Sequence, residues 1–152
     1  MLESQLLETW DINNRISLYL LDALTPDQLL TPLQKGKSVE GQFAHIHNVR
    51  LMWLKASAPD LFDAQTKIEG STNQANLRKH LQQSGEAVGK LIARSLEKDG
   101  KIKNFKPHVC AFVGYLIAHD ANHRAHVELA LRQTGTPLSD KVAYGLWEWG
   151  SR

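Results

Sequence analysis

The stretch from Tyr115 to Leu131 reads Y-L-I-A-H-D-A-N-H-R-A-H-V-E-L-A-L. Its histidines are the residues best placed to do chemistry. His119 and His123 are four apart, so on a helix they stack one turn above the other. His126 follows three residues later on the same face. Two imidazoles at this spacing can direct nitrogen lone pairs at one point, which is the helical half of a metal site. The same pair serves equally well as core or hydrogen-bonding residues, so a third ligand from another element has to decide. At roughly 100° per residue, the three histidines share an arc with Phe112, Tyr115, Leu116 and Ala130. Asp120, Arg124, Glu128 and Arg132 fall on the opposite side, which the pattern assigns to solvent. The histidines are then expected to point inward, where polar groups need partners.

The elements that must position them are helices. Residues 2–22 form the first, with Leu6, Trp10, Tyr19 and Leu20 along one face. Asn13 and Asn14 interrupt it and are expected to be solvated. Thr25-Pro26-Asp27-Gln28 is a helix start, with Thr as N-cap, Pro in the first turn and Gln completing a capping box. Ser38 caps a second long helix over 39–56, largely apolar around its circumference. It carries His45 and His47, which lie about 200° apart and cannot face one site together. Periodicity does not choose between them. A third long helix runs from a Ser71-x-x-Gln74 start to about Lys98, with Gly85 and Gly89 on its packing side. Residues 59–71 and 100–107 read as loops. The last long helix carries His119 and His123 and ends before Gly135, with Pro137 beyond it. The tail, Val142 to Gly150, holds two of the four tryptophans and is expected to pack over one end of the helices or at a subunit contact.

Four long helices without convincing strands imply an all-α, four-helix-bundle domain spanning residues 1–152, with residues 25–37 as a long first crossover and an aromatic C-terminal tail. The 152 residues suffice for a sizeable core, and 42% hydrophobic with 22% charged residues is an ordinary globular balance. A net charge of +2 with interspersed signs argues against a nucleic-acid or anionic-membrane partner. A single cysteine, Cys110, excludes an internal disulfide and reads as a buried thiol in a reducing compartment. The first residues lack the basic and apolar regions of a signal peptide, and no apolar run approaches the ~20 residues of a membrane span. These readings point to a cytoplasmic protein.

The residues Tyr115-Leu-Ile-Ala-His119-Asp-Ala-Asn-His123-Arg124 resemble the H-x-x-x-H-R signature of the DinB (damage-inducible) family, within the DinB/YfiT-like metalloenzyme superfamily. Ala44-His45-Ile46 followed by Trp53-Leu54 is similar to that family's second-helix motif. The closing Tyr144-Gly-Leu-Trp-Glu-Trp-Gly150 looks like the aromatic tail of some members. The resemblance covers nearly the whole chain. It implies a divalent metal held by His45, His119 and His123, with His45 favoured over His47 by alignment on Trp53. The sequence departs from the frequent H-H-R-G-Q pattern at Asn122, Ala125 and His126. Asn122 leaves the i, i+4 geometry intact, and His126 stands as a neighbour or substitute ligand. The resemblance further implies thiol-dependent transfer, isomerisation or hydrolysis with a low-molecular-weight thiol, and a homodimer. A stress-response protein that binds a metal or small molecule without turnover is the alternative. Three imidazoles suit zinc, nickel or iron alike.

Overall fold

The computed structural model describes residues 1–152. Four long helices dominate: α1 (Leu2–Asp22), α3 (Val39–Ser57), α5 (Gln74–Leu96) and α6 (Val109–Gln133). Short helices α2 (Pro26–Leu29), α4 (Pro59–Phe62) and α7 (Asp140–Gly145) decorate the connections. Around the bundle α1 packs against α5 and α6, and α3 packs against the same two. No helix is long and apolar enough to cross a membrane.

Local chemistry sets most of the boundaries. Thr25 accepts from the Gln28 backbone N–H while Gln28 reaches back to the Thr25 N–H, closing the expected capping box before α2. Ser38 caps α3, and His108 caps α6 through Nδ1. Past the end of α6, Gly135 takes a left-handed φ of 78°, which glycine adopts without penalty. The cap of α5 differs from expectation. Asn73 supplies it, accepting from the Asn76 N–H, because Ser71 is spent on the Glu40 carboxylate. Residues 59–71 include the helical turn α4. The expected loop at 100–107 is an antiparallel hairpin, β1 (Lys101–Ile102) with β2 (Phe105–His108). Asn104 takes the left-handed turn conformation at φ 66°, a role short polar side chains accept.

The apolar core falls into two clusters. One gathers Leu20, Leu21, Phe43, Ile46, Leu77, Leu81 and Leu131. The other gathers Trp10, Leu54, Val88, Ile92, Phe112 and Leu116. Between them lies a polar layer in which Asn13, Asn14, Ser17, Arg50, Ser84, Asp120 and Arg124 are all buried. Three expectations are overturned here. Asn13 and Asn14 are interior rather than solvated. Asp120 and Arg124 are interior rather than on the wet face. The buried side of α6 keeps Phe112, Leu116 and Ala130 from the expected arc and extends it through Val113, Asp120, Arg124, Val127 and Leu131, while Tyr115 is exposed. Charge was a poor guide because these charges find their partners on other helices.

Cys110 is exposed rather than buried, since it starts α6 on its outer side. In the tail, Leu146 is buried and Trp149 packs against the first cluster. Trp147 is 82% exposed and Tyr144 71% exposed, so only part of the aromatic tail covers the bundle.

Gly85 and Gly89 play different parts. A Cβ at Gly85 would collide with the Asn14 amide, whereas one at Gly89 would meet Trp10 Cδ1 at an ordinary 3.6 Å. Gly85→Ala is expected to destabilise the protein by about 1–3 kcal/mol, because Asn14 is fixed by the polar layer. Gly89→Ala is expected to stabilise it by about 0.5–1 kcal/mol through helix propensity. Urea denaturation of both variants checks the opposite signs.

Candidate metal centre

α3 and α6 run antiparallel. Gln42 meets His123, His45 meets His119, and Trp53 meets Phe112 and Tyr115. Each helix therefore presents its own histidines to one stretch of the shared groove. His45, His119 and His123 are all partly buried there, and their candidate ligand nitrogens lie within 4.8 Å of one another. The ring centroids of His45 stand 5.2 Å from His119 and 4.4 Å from His123.

His45 Nε2 and His119 Nε2 are 3.3 Å apart. Two nitrogens each about 2.0–2.1 Å from a tetrahedral ion would be separated by roughly 3.3–3.4 Å, so this edge already has the dimensions of a coordination polyhedron. Hydrogen bonds on the far side of the rings support the same orientation. His123 Nδ1 lies 2.7 Å from Gln42 Oε1, an acceptor that requires the proton on Nδ1 and frees Nε2. The amide of Gln42 is itself oriented, since its Nε2 donates to the Lys37 carbonyl at 3.2 Å. His119 Nδ1 faces Asp120 Oδ1 at a longer 3.4 Å, which likewise leaves Nε2 unprotonated. A carboxylate or carbonyl behind each ligating imidazole is the usual support of a metal site.

Electrostatics keep these rings in the form that ligates. Burial first, then the neighbouring His119, His45 and His126, pushes the pKa of His123 down to about 4. That of His45 is lowered by burial, then by Lys37 and His119. Both are neutral at pH 7, with lone pairs available.

Asp120 is anchored from below. Burial alone would raise its pKa. The Arg50 charge, hydrogen bonds from His119 and Arg50, and the Arg124 charge overcome that and hold it below the ordinary carboxylate range. Arg50 Nη2 donates to Asp120 Oδ2 at 2.8 Å, and Asn13 Nδ2 donates to the same oxygen at 2.9 Å. Arg50 Nη1 reaches Asn14 Oδ1 at 2.8 Å and the Leu81 carbonyl at 3.0 Å. Its guanidinium carbon lies 5.0 Å from the centre of the Trp10 ring. Arg124 Nη1 donates to Asn13 Oδ1 and Ser17 Oγ. The polar layer thus ends on His119.

A family model described as the DinB family matches residues 1–147. The chain belongs to the DinB family. Comparison with curated proteins finds no match, and comparison with solved structures finds none either.

In this DinB family member the two histidines of the second long helix part company. His45 joins His119 and His123. His47 is fully buried on another side of α3, with Nε2 2.8 Å from the Thr66 carbonyl and its ring 5.1 Å from that of His80. His126 lies beside the group, its ring 5.7 Å from His123 in an edge-on arrangement, outside the converging set. Sequence reasoning missed Gln42, Arg50, Asn13 and Asp120 as supporting residues. Two signals were present: Arg50 stands between Val49 and Leu51 at the start of an apolar run, and Asp120 directly follows His119.

Proposed function

We propose that this DinB family protein is a divalent-metal-dependent enzyme in which His45, His119 and His123 hold the ion, with a thiol-using transferase or hydrolase as the reaction class. The observation that carries the reading is the 3.3 Å approach of two imidazole nitrogens, one of them backed by a carboxylate that orients its proton away. His119 Nε2 offers its lone pair across this gap, and either a proton on His45 Nε2 or a cation shared by both rings satisfies it. Three neutral imidazoles leave a divalent ion with an open position, as catalytic rather than structural sites do. When bound, the ion would supply Lewis acidity and lower the pKa of a coordinated water or thiol. The chain's own contribution is to fix two tautomers through Asp120 and Gln42, and to hold His45 against His119 across the groove. Zinc, nickel and iron all suit the donor set.

Elemental analysis of protein purified without a His tag tests the reading. One divalent ion per chain is expected in the wild type, lost in His45→Ala and His119→Ala and kept in His47→Ala. Absence of metal from the wild type after reconstitution with zinc, nickel and iron would overturn it. If metal is present, a panel of electrophiles with thiols separates an enzyme from a protein that binds without turnover. Gln42→Ala is expected to weaken metal affinity about 10–100-fold by freeing the His123 ring. Competition against a chromophoric chelator reads this directly.

A further inference from the structure

Different surfaces flank the three histidines along the α3–α6 groove. Toward the hairpin, Tyr115 lies four residues before His119 and Met52 lies seven beyond His45. Each therefore sits near its own helix's histidine direction. Tyr115 is 39% and Met52 54% exposed. Tyr115 is held in place, with its ring edge-on to Trp53 at 5.8 Å. The indole nitrogen of Trp53 is buried without a hydrogen-bond partner. A supported aromatic ring left partly in water beside a polar site is a ready contact for the apolar part of a ligand.

Toward the other end lies Lys37. Its stem packs on Gly41, one turn before His45, so closely that a Cβ on Gly41 would stand 3.0 Å from Lys37 Cβ. Its carbonyl accepts from Gln42, which in turn holds His123. Lys37 forms no ion pair, so its charge is free beside the turn that carries Gln42 and His45. The histidines contribute no negative charge. The buried layer beneath them holds Arg50 and Arg124 against Asp120, and of the acids on α6 Glu128 acts on Arg124.

We infer that the site accepts a small organic anion with an apolar tail, its charged group at the histidines beside Lys37 and its tail on Tyr115 and Met52. This deepens the metal-dependent reading and rests on it for the anchoring of the charged group. One helical turn, about 5.4 Å, separates His119 from Tyr115, which a spacer of two or three carbons can bridge.

Calorimetric titration of zinc-loaded protein with 3-phenylpropanoate, acetate and 3-phenylpropan-1-ol tests the inference, with zinc content measured on the same samples. 3-Phenylpropanoate is expected to bind at least about tenfold more tightly than either truncated probe, from burial of the ring and pairing of the charge. Lys37→Met should weaken it up to about fivefold and Tyr115→Ser on the order of tenfold. Neither substitution should change zinc content. Full zinc with equal affinity for acetate and 3-phenylpropanoate, or with both variants unchanged, overturns the inference while leaving the metal reading intact. Protein that stays metal-free after reconstitution with zinc, nickel and iron, yet still selects 3-phenylpropanoate through Lys37 and Tyr115, overturns only the metal reading. Metal-free protein without selection overturns both.

Discussion

Arg50→Ala is expected to destabilise the protein by about 3–5 kcal/mol, the cost of removing one partner from a buried ion pair. Arg50 and Asp120 are both fully inaccessible at the side chain. Loss of the guanidinium leaves an ionised carboxylate in the interior, with Asn13 and His119 as its remaining contacts. It also frees Asn14 and the Leu81 carbonyl, which Arg50 had satisfied, and removes the cation from Trp10. Domains of this size have about 5–15 kcal/mol of stability in all, so the variant should unfold at low urea. Arg50→Met combined with Asp120→Leu should recover part of the loss, because no charge is then stranded. That double variant should still bind metal poorly, since His119 has lost the acceptor that fixes its tautomer. Urea denaturation and metal titration of the two variants separate these effects. A loss under 1 kcal/mol in Arg50→Ala would show that the layer is hydrated and the pair weak.

Acid should weaken the fold through His47. Burial pushes its pKa down to about 4, with the charges of His80 and Arg50 adding to the shift against the hydrogen bond to Thr66. In the unfolded chain an ordinary histidine takes up a proton near pH 6.5. The folded state therefore binds fewer protons between these values, and stability falls as pH falls through that window. The full contribution is present above pH 6.5. It amounts to about 2 kcal/mol lost between pH 7 and 5, and about 3 kcal/mol by pH 4, where it levels off. His123, His45 and His80 are shifted in the same direction, so the wild-type slope exceeds the share of His47 alone. His47→Gln in metal-free protein should flatten the stability–pH profile over this range, whatever its effect at pH 7. Parallel profiles for variant and wild type would exclude His47 as a source. The loop around residues 66–68 should loosen first, because His47 and Asn48 both tie it to α3.

The bundle was legible in the sequence because its signals are local. Apolar spacing, the Thr25 box, the Ser38 cap and the Gly135 stop each act within a few residues. The histidine pair of α6 was legible for the same reason, since i, i+4 is a property of one helix. Periodicity did not choose between His45 and His47, because the choice depends on how α3 is rotated against α6 and both rotations bury apolar side chains; only the family resemblance, through Trp53, favoured His45. The polar layer was hidden more deeply. Asp120 and Arg124 look like surface charges until Asn13, Asn14 and Arg50 arrive from two other helices to satisfy them. The rule that charge marks solvent holds only for a charge without such partners. The hairpin at 101–108 escaped because its strands are too short to show an alternating pattern.

The layer between the two apolar clusters also works as an alignment key. An apolar seam can slide by one turn, about 5.4 Å, and find new apolar neighbours. A helix carrying Arg50 or Asp120 cannot, because the same slide would strand every charge and amide in the layer at once. Axial position is therefore fixed by side chains that have no direct part in holding an ion. The heights of His45 on α3 and of His119 and His123 on α6 are set against each other before any ligand arrives.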